Sequence, residues 1–432
     1  MVPMQPTHLD FAIDHLGPRE RISPINNIDF VDDRERVLYH TDPALVEDCR
    51  RRNEIPPSFE VAGPRRQIFF DPADLHCGIV SCGGLCPGIN DVIRAMVLSL
   101  FYHYGVTSIC GFRYGFEGLN PAFGHSPLEL SPELVNDIHQ KGGTILGTSR
   151  GPQDISVLVD TLERRGIGIL FTIGGDGTLR GSRAIAAEIK RRGLQIAVVG
   201  VPKTIDNDIA FVDQSFGFAT AVTETRTAVY AAHMEAVGAR NGIGLVKLMG
   251  RQSGFIAAYA TLASSDVNFC LVPEIRFTTA AFLEALRERL VSKRHAVIVA
   301  AEGAGQDLME ATGQRDASGN IRLGDIGTFL RQAIQEHFSS IGLEYTLKYI
   351  DPSYTIRSVR SNAYDSVFCL LLGHNAVHAG MAGYTNMLVG YWKNQFTHVP
   401  ISLAVSRRKK IEPGDRLWNN VLAATGQPAA MY

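Results

Sequence analysis

Apolar residues arrive in short dense runs from Cys77 to Ser81, Ile167 to Ile173 and Ile196 to Val201, with a looser one from Val106 to Phe112. Runs of that length, apolar on both faces, predict strands of a parallel sheet covered by helices. Two of them pass through glycine-rich turns into helical periodicity. After Gly83–Gly88 the apolar positions are Ile89, Val92, Ile93, Met96, Val97, Leu100 and Phe101; after Gly174–Thr178 a helix runs to about Arg192. Ser131-Pro132-Glu133 predicts a further helix, with a serine cap and proline at its first position.

Beyond a long helix at Phe218–Val237 the alternation resumes. Strands are expected at 242–249, 269–273 and 296–302, with helices after Ser253, over Thr278–Val291 and over Asn362–His378. The polar stretch 305–324 reads as a surface loop. The fold class is therefore α/β, with two α/β lobes and mainly parallel sheets. The expected organisation is an N-terminal extension (1–75), a large domain (76–217 and 356–405), a smaller one (218–355) and a solvated C-terminal tail (406–432). The extension is polar, with a weak helical piece near Pro43–Arg52.

Composition narrows the class. The 432 residues are 45% apolar and 20% charged, and the net charge of -2 gives no reason to expect nucleic acid or a membrane surface as partner. No membrane span or signal-peptide core is visible, so a cytoplasmic protein is expected. Seven irregularly spaced cysteines do not form a disulfide framework. Cys77, Cys82 and Cys86 lack zinc-site spacing, and His374 and His378 lack the glutamate of a zincin helix.

Candidate chemistry gathers where strands end. Gly83–Gly88, Gly174–Thr178 and Pro202–Asp208 all fall at the carboxyl edge, where such sheets hold ligands. Glycine turns let backbone N–H groups approach phosphate, and the acid in the second loop, Asp176, suits Mg²⁺. Asp206 and Asp208, two apart on an extended segment, share a side, with Lys203 close before them. One acid then serves as base for a hydroxyl and the other as a positioner, which together with the glycine loops describes phosphoryl transfer.

The motifs C-G-G-L-C-P-G-I-N (82–90), G-G-D-G-T (174–178), P-K-T-I-D-N-D-I (202–209), F-G-F-A-T-A (216–221) and K-L-M-G-R-Q-S-G-F-I-A (247–257) resemble, in order, the 6-phosphofructokinase family. The resemblance runs from about Ala62 to Tyr391 and is strongest to the long-chain branch that includes plant and trypanosomatid ATP-dependent enzymes. It implies a bilobed homodimer or homotetramer, with nucleotide on the large lobe and sugar phosphate between the lobes. Asp206 would be the base for the C1 hydroxyl of fructose 6-phosphate, supported by Asp208 and Lys203. Gly84, Arg150, Gly151, Gly175, Asp176, Gly177 and Thr178 would hold ATP, with Arg150 on the transferring group and Asp176 on Mg²⁺. Thr204, Ile205, Met249, Gly250, Arg251, Glu302, Lys348, Tyr354, Thr355, Ile356 and Arg357 would hold the sugar phosphate, Arg251 and Arg357 clamping its 6-phosphate.

Two departures from the short bacterial members stand out. Gly242 occupies the place of an arginine that they offer to a neighbouring subunit, and Lys203 replaces their glycine, as in pyrophosphate-dependent relatives. Those relatives typically carry aspartate at the position of Gly177, which would crowd and repel a nucleotide α-phosphate; Gly177 therefore implies ATP. The rival readings are a pyrophosphate-dependent phosphofructokinase, an NAD- or lipid-kinase type of enzyme that shares only G-G-D-G-T, and a non-catalytic paralogue.

Overall fold

A computed structural model describes residues 9–432 except 27, 311, 312, 316–318 and 320. The chain divides into two compact units.

The larger unit contains the described residues up to Thr204, with Ile209–Phe216 and Arg360–Arg408. Its centre is a nine-stranded sheet. Five strands run parallel, in the order Met387–Trp392, Ala197–Pro202, Ile167–Gly174, His76–Ser81, Ser108–Phe112. Their apolar runs are buried on both faces: Ile79, Val80, Leu170, Phe171, Val198 and Val199 are all fully covered. Register aligns the carboxyl ends, with Ser81 opposite Ile173 and Gly174 opposite Pro202.

The amino-terminal stretch does more than lie on this body. Arg36–Leu38 and Ser58–Val61 extend the sheet antiparallel beyond Gln395–Pro400. Phe59 is fully buried, its ring edge-on to Phe11 and Trp392. A capped helix, Pro43–Arg51, connects the two strands, with Asp42 accepting from the Ala44 N–H. The helix expected from Ser131 does not form. Ser131 Oγ accepts the Leu134 N–H at 3.3 Å, but Asn136, Asp137 and Gly142-Gly143 are poor propagators, and only a 3₁₀ turn at Ile138–Gln140 follows.

The smaller unit contains Ile205–Asp208, Gly217–Val359 and Lys409–Tyr432. Its sheet is wholly parallel, in the order Phe269–Leu271, His295–Ala301, Gly242–Leu248, Thr346–Ile350. Phe282, Leu286, Leu290, Leu330, Ile334 and Phe338, from helices Thr279–Lys293 and Ile326–Ser340, close a core over it. From Lys409 onward the expected solvated tail is a folded part of this unit, which corrects the sequence reading. Helix Arg416–Thr425 buries Trp418 and Val421, spaced i and i+3 on one face. Beyond it Gln427 pairs with both backbone groups of Cys270, at 2.6 and 3.3 Å.

Candidate functional site

In the larger unit three loops leave the aligned strand ends. The Cys82 N–H reaches Ile173 O and the Lys203 N–H reaches Gly174 O, both at 2.9 Å, so the loops start in register. Gly83 sits at φ +87°, a conformation that side chains rarely adopt. Its N–H is held by Ser149 O at 3.1 Å, and its carbonyl accepts from Thr148 Oγ1 at 2.6 Å. The first loop is thereby joined to the segment that continues into Arg150 and Gly151. Lys203 is buried and donates through Nζ to Gly84 O at 2.7 Å, tying the third loop to the first.

The second loop opens helix Asp176–Arg192 at Gly175 with no side chain capping the first turn, so backbone N–H groups and the helix dipole face outward. A Cβ on Gly174 would collide with the Thr178 side chain, whereas one on Gly177 would meet nothing within 4 Å. Asp176 Oδ2 pairs with Arg180 Nε at 3.1 Å and with Arg408 at 3.5 Å. Arg180 is steadied by Val405 O at 2.8 Å. Arg408, from the basic run read as tail, is a charge on this loop that sequence reasoning missed.

Among the described residues no three His, Cys, Asp or Glu side chains gather as a metal cage. A single carboxylate beside an uncapped helix start nonetheless fits Mg²⁺, which takes one or two carboxylates and fills its shell with water and phosphate oxygens.

The cysteines nearby serve packing. Burial pushes the Cys82 thiol up to about 12, and Cys77 and Cys86 are also enclosed. His378 is likewise structural: its Nδ1 meets Tyr104 OH at 2.9 Å.

The smaller unit presents the other set. Ser253 Oγ donates to Asp206 O at 3.3 Å, and the Lys409 N–H donates to Asp208 O at 2.9 Å. Asn207 between them is left-handed at φ 54°, so the segment makes a tight turn and is not the extended stretch on which the two acids were expected to share a side. Thr204, just before, belongs to the larger unit, where its carbonyl accepts from Ser215 Oγ at 2.6 Å.

At the carboxyl edge of the small sheet, Met249-Gly250-Arg251 and Glu302 are locked together. Glu302 N–H bonds Leu248 O at 2.8 Å and Gly303 N–H bonds Gly250 O at 3.0 Å. Gly250 adopts φ +128° with Ser253 O only 2.6 Å from where a Cβ would stand. Burial raises the Glu302 carboxyl above its usual range, against the opposing pull of Arg251, Lys247 and Arg357. Arg251 donates to the Ile321 carbonyl. Arg251, Gln306, Arg315, Ile321 and Arg322 line a pocket of about 440 Å³. Tyr354 precedes the short helix Thr355–Ser358, and its ring lies 4.8 Å under the Arg357 guanidinium.

Lys348 is placed differently from the others. It lies mid-strand, opposite Gly244, and pairs with Glu235 at 3.9 Å with both side chains half exposed. The lysine that does reach the edge loops is Lys247, missed in the sequence although it is the one charge in an otherwise apolar strand. Its Nζ bonds Asp351 at 2.8 Å and Asp325 at 3.2 Å. Burial of its amine is outweighed by these carboxylates and the Tyr349 hydroxyl, so Lys247 is held charged, above the ordinary lysine range.

Gly242 also has a local cause. A Cβ there would stand 2.0 Å from Ala236 O, so the strand start is pressed against the end of helix Phe218–Gly238. Arg240 nearby pairs with Glu344 at 3.1 Å on the surface.

An uncapped helix start beside an acid, glycine turns on neighbouring parallel strands and a second edge carrying Arg251 and Glu302 define an α/β enzyme of phosphoryl transfer. The family model described as Phosphofructokinase matches residues 76–380. An ATP-dependent 6-phosphofructokinase of Amycolatopsis methanolica is 51% identical over 410 residues, covering 93% of this chain and 89% of its own length. ATP-dependent 6-phosphofructokinase 7 of Arabidopsis thaliana is 50% identical over 404 residues, 91% and 82% of the two chains. The Trypanosoma brucei brucei ATP-dependent 6-phosphofructokinase is 44% identical over 416 residues, 95% and 85%. Among solved structures, a pyrophosphate-dependent phosphofructokinase from Marinobacter aquaeolei matches with a TM-score of 0.67 at 20% identity, covering 82% of this chain and 91% of its own, a likeness of fold. The chain belongs to the phosphofructokinase family.

Proposed function

We propose that the chain is an ATP-dependent 6-phosphofructokinase, moving the terminal phosphoryl group of ATP to the C1 hydroxyl of fructose 6-phosphate. The observation that carries the donor assignment is the uncapped helix start at Gly175 with open space over Gly177, where a nucleotide phosphate meets N–H groups and no carboxylate beyond that of Asp176. The relatives at 44–51% identity named as ATP-dependent support the same donor. A pyrophosphate-dependent reading keeps only Lys203 in its favour.

In this reading Gly84, Arg150, Gly151 and Gly175–Thr178 hold the ATP phosphates. Lys203, fixed on Gly84 O, contributes a buried positive charge beside them. Asp176 would hold Mg²⁺, which supplies neutralisation of phosphate charge when bound. Arg150 stabilises charge on the transferring group. Asp206 removes the C1 hydroxyl proton as the oxygen attacks, and Asp208 keeps its geometry. Arg251 and Arg357 clamp the 6-phosphate and Glu302 accepts from a sugar hydroxyl. Thr204, Ile205, Met249, Gly250, Tyr354, Thr355 and Ile356 shape the remainder; Lys348, mid-strand and paired with Glu235, is left out of the phosphate contacts expected for it.

We place the enzyme in the cytoplasm as a homodimer or homotetramer. Seven cysteines with no disulfide among them suit a reducing compartment. Self-association is supported by Tyr364, Val367, Leu370 and Leu371, which expose an apolar stripe on helix Ala363–Met381. The test of function is fructose 1,6-bisphosphate formation from fructose 6-phosphate and Mg²⁺ with ATP or pyrophosphate as donor. Turnover with ATP alone is expected; turnover with pyrophosphate alone overturns the donor assignment, and none with either overturns the activity.

A further inference from the structure

The carboxyl edge of the small sheet carries an acid that the reaction above does not use. Glu274 lies three residues beyond the strand Phe269–Leu271. Both of its oxygens accept the Gly254 N–H, at 3.0 and 3.1 Å, and Oε1 also accepts the Ile411 N–H at 3.0 Å. Gly254 is the cap of helix Phe255–Ser264, directly after the loop that bears Arg251 and Ser253. Ile411 is buried and two residues beyond Lys409, whose N–H holds Asp208 O. One carboxylate thus joins two backbone segments, and each of them also grips the turn Asp206-Asn207-Asp208: Ser253 at Asp206 O and Lys409 at Asp208 O.

The segment beyond is anchored along its length. Lys409 Nζ lies 5.2 Å over the Phe255 ring, Trp418 is buried, Gln427 pairs with the edge strand at Cys270, and Met431 O accepts the Thr278 N–H at 2.6 Å. Several anchors on a short segment restrain its proximal end, and that end is what Asp208 leans on.

We propose that Glu274 is a positioning residue for the reaction, and that the C-terminal segment from Lys409 onward is a strap through which it fixes the Asp206–Asp208 turn. The inference rests on Asp206 being the base. A displacement of about 1 Å in a reacting group costs on the order of 10²-fold in rate.

The test compares Glu274→Met, which keeps bulk and removes both acceptors, with Glu274→Gln, which keeps one oxygen able to accept from Gly254 and Ile411. Glu274→Met is expected to lower kcat about 10- to 100-fold. KM for ATP should stay within about threefold, because the donor loops are untouched, and Glu274→Gln should recover most of kcat. Hydrogen exchange should quicken in Glu274→Met at 205–208 and 409–411 together. Unchanged kcat in Glu274→Met, an equal loss in Glu274→Gln, or faster exchange at 409–411 with 205–208 unaffected overturns the proposal. If Glu274→Met does not fold, Gln427→Ala frees the far end of the strap. Quicker exchange at 205–208 then supports the proposal, and a change confined to 425–431 overturns it. Asp206→Asn run alongside separates the two readings: normal turnover there removes the base, whereas loss there with normal turnover in Glu274→Met removes only the strap.

Discussion

Replacing Gly177 with aspartate isolates donor recognition from folding. A Cβ at this position meets nothing within 4 Å, and Gly177 needs no left-handed backbone. The new carboxylate falls in the first turn of helix Asp176–Arg192, where an acid complements the helix dipole by about 0.3–1 kcal/mol. Stability should therefore hold or rise slightly. For a bound nucleotide the sign reverses. A carboxylate roughly 5 Å from one phosphate charge, at an effective dielectric of about 20, repels it by about 3 kcal/mol, or on the order of 10²-fold in affinity. Steady-state kcat/KM for ATP at saturating fructose 6-phosphate is expected to fall by about that factor, with an unchanged or raised Tm. A folded Gly177→Asp variant whose kcat/KM for ATP stays within about threefold of the parent would refute the reasoning.

Burial, and then the neighbouring imidazoles, hold His374 at about 4 and His378 at about 3. Above pH 6.5 both are neutral folded or unfolded; below it only the unfolded chain gains protons, so stability should fall as pH drops from about 6.5 toward about 4. Tm measured at pH 7 and pH 5 should show the fall, and a fall just as steep in His374→Gln and His378→Gln variants would contradict this origin. Lys247→Met leaves Asp325 and Asp351 facing one another without their cation and loosens the loop that continues to Arg357. KM for fructose 6-phosphate should rise about 10-fold with a smaller change in kcat, and steady-state kinetics showing an unchanged KM would contradict it. Gly242→Ala sets a methyl 2.0 Å from Ala236 O. It should cost about 1–3 kcal/mol in denaturant unfolding, and a neutral result would contradict the close packing.

The sequence carried the α/β architecture because its central strands are apolar on both faces, and Ile167–Gly174 and Ala197–Pro202 formed almost where their runs lie. It also carried the convergence of the loops after Ser81, Gly174 and Pro202, since parallel strands must end on one edge. Ser131 misled because a cap without good propagating residues nucleates nothing. Arg36–Leu38 and Ser58–Val61 escaped notice because short strands paired at the flank of a sheet need no strong apolar period. Lys247, Glu274 and Arg408 were invisible as site neighbours because their partners, Asp351, Ile411 and Asp176, are distant in the chain. Local spacing cannot encode such contacts. The basic run from Arg407 looked like a solvated tail because the amphipathic face of Arg416–Thr425 is only ten residues long.

The central claim is that Asp206 takes the proton from the sugar hydroxyl. Asp206→Asn keeps the shape of the side chain and removes its basicity, and kcat and KM with fructose 6-phosphate and Mg-ATP read the effect. The account predicts kcat lower by about 10²–10⁴-fold with KM for fructose 6-phosphate within about threefold; near-normal turnover in the folded variant would contradict it.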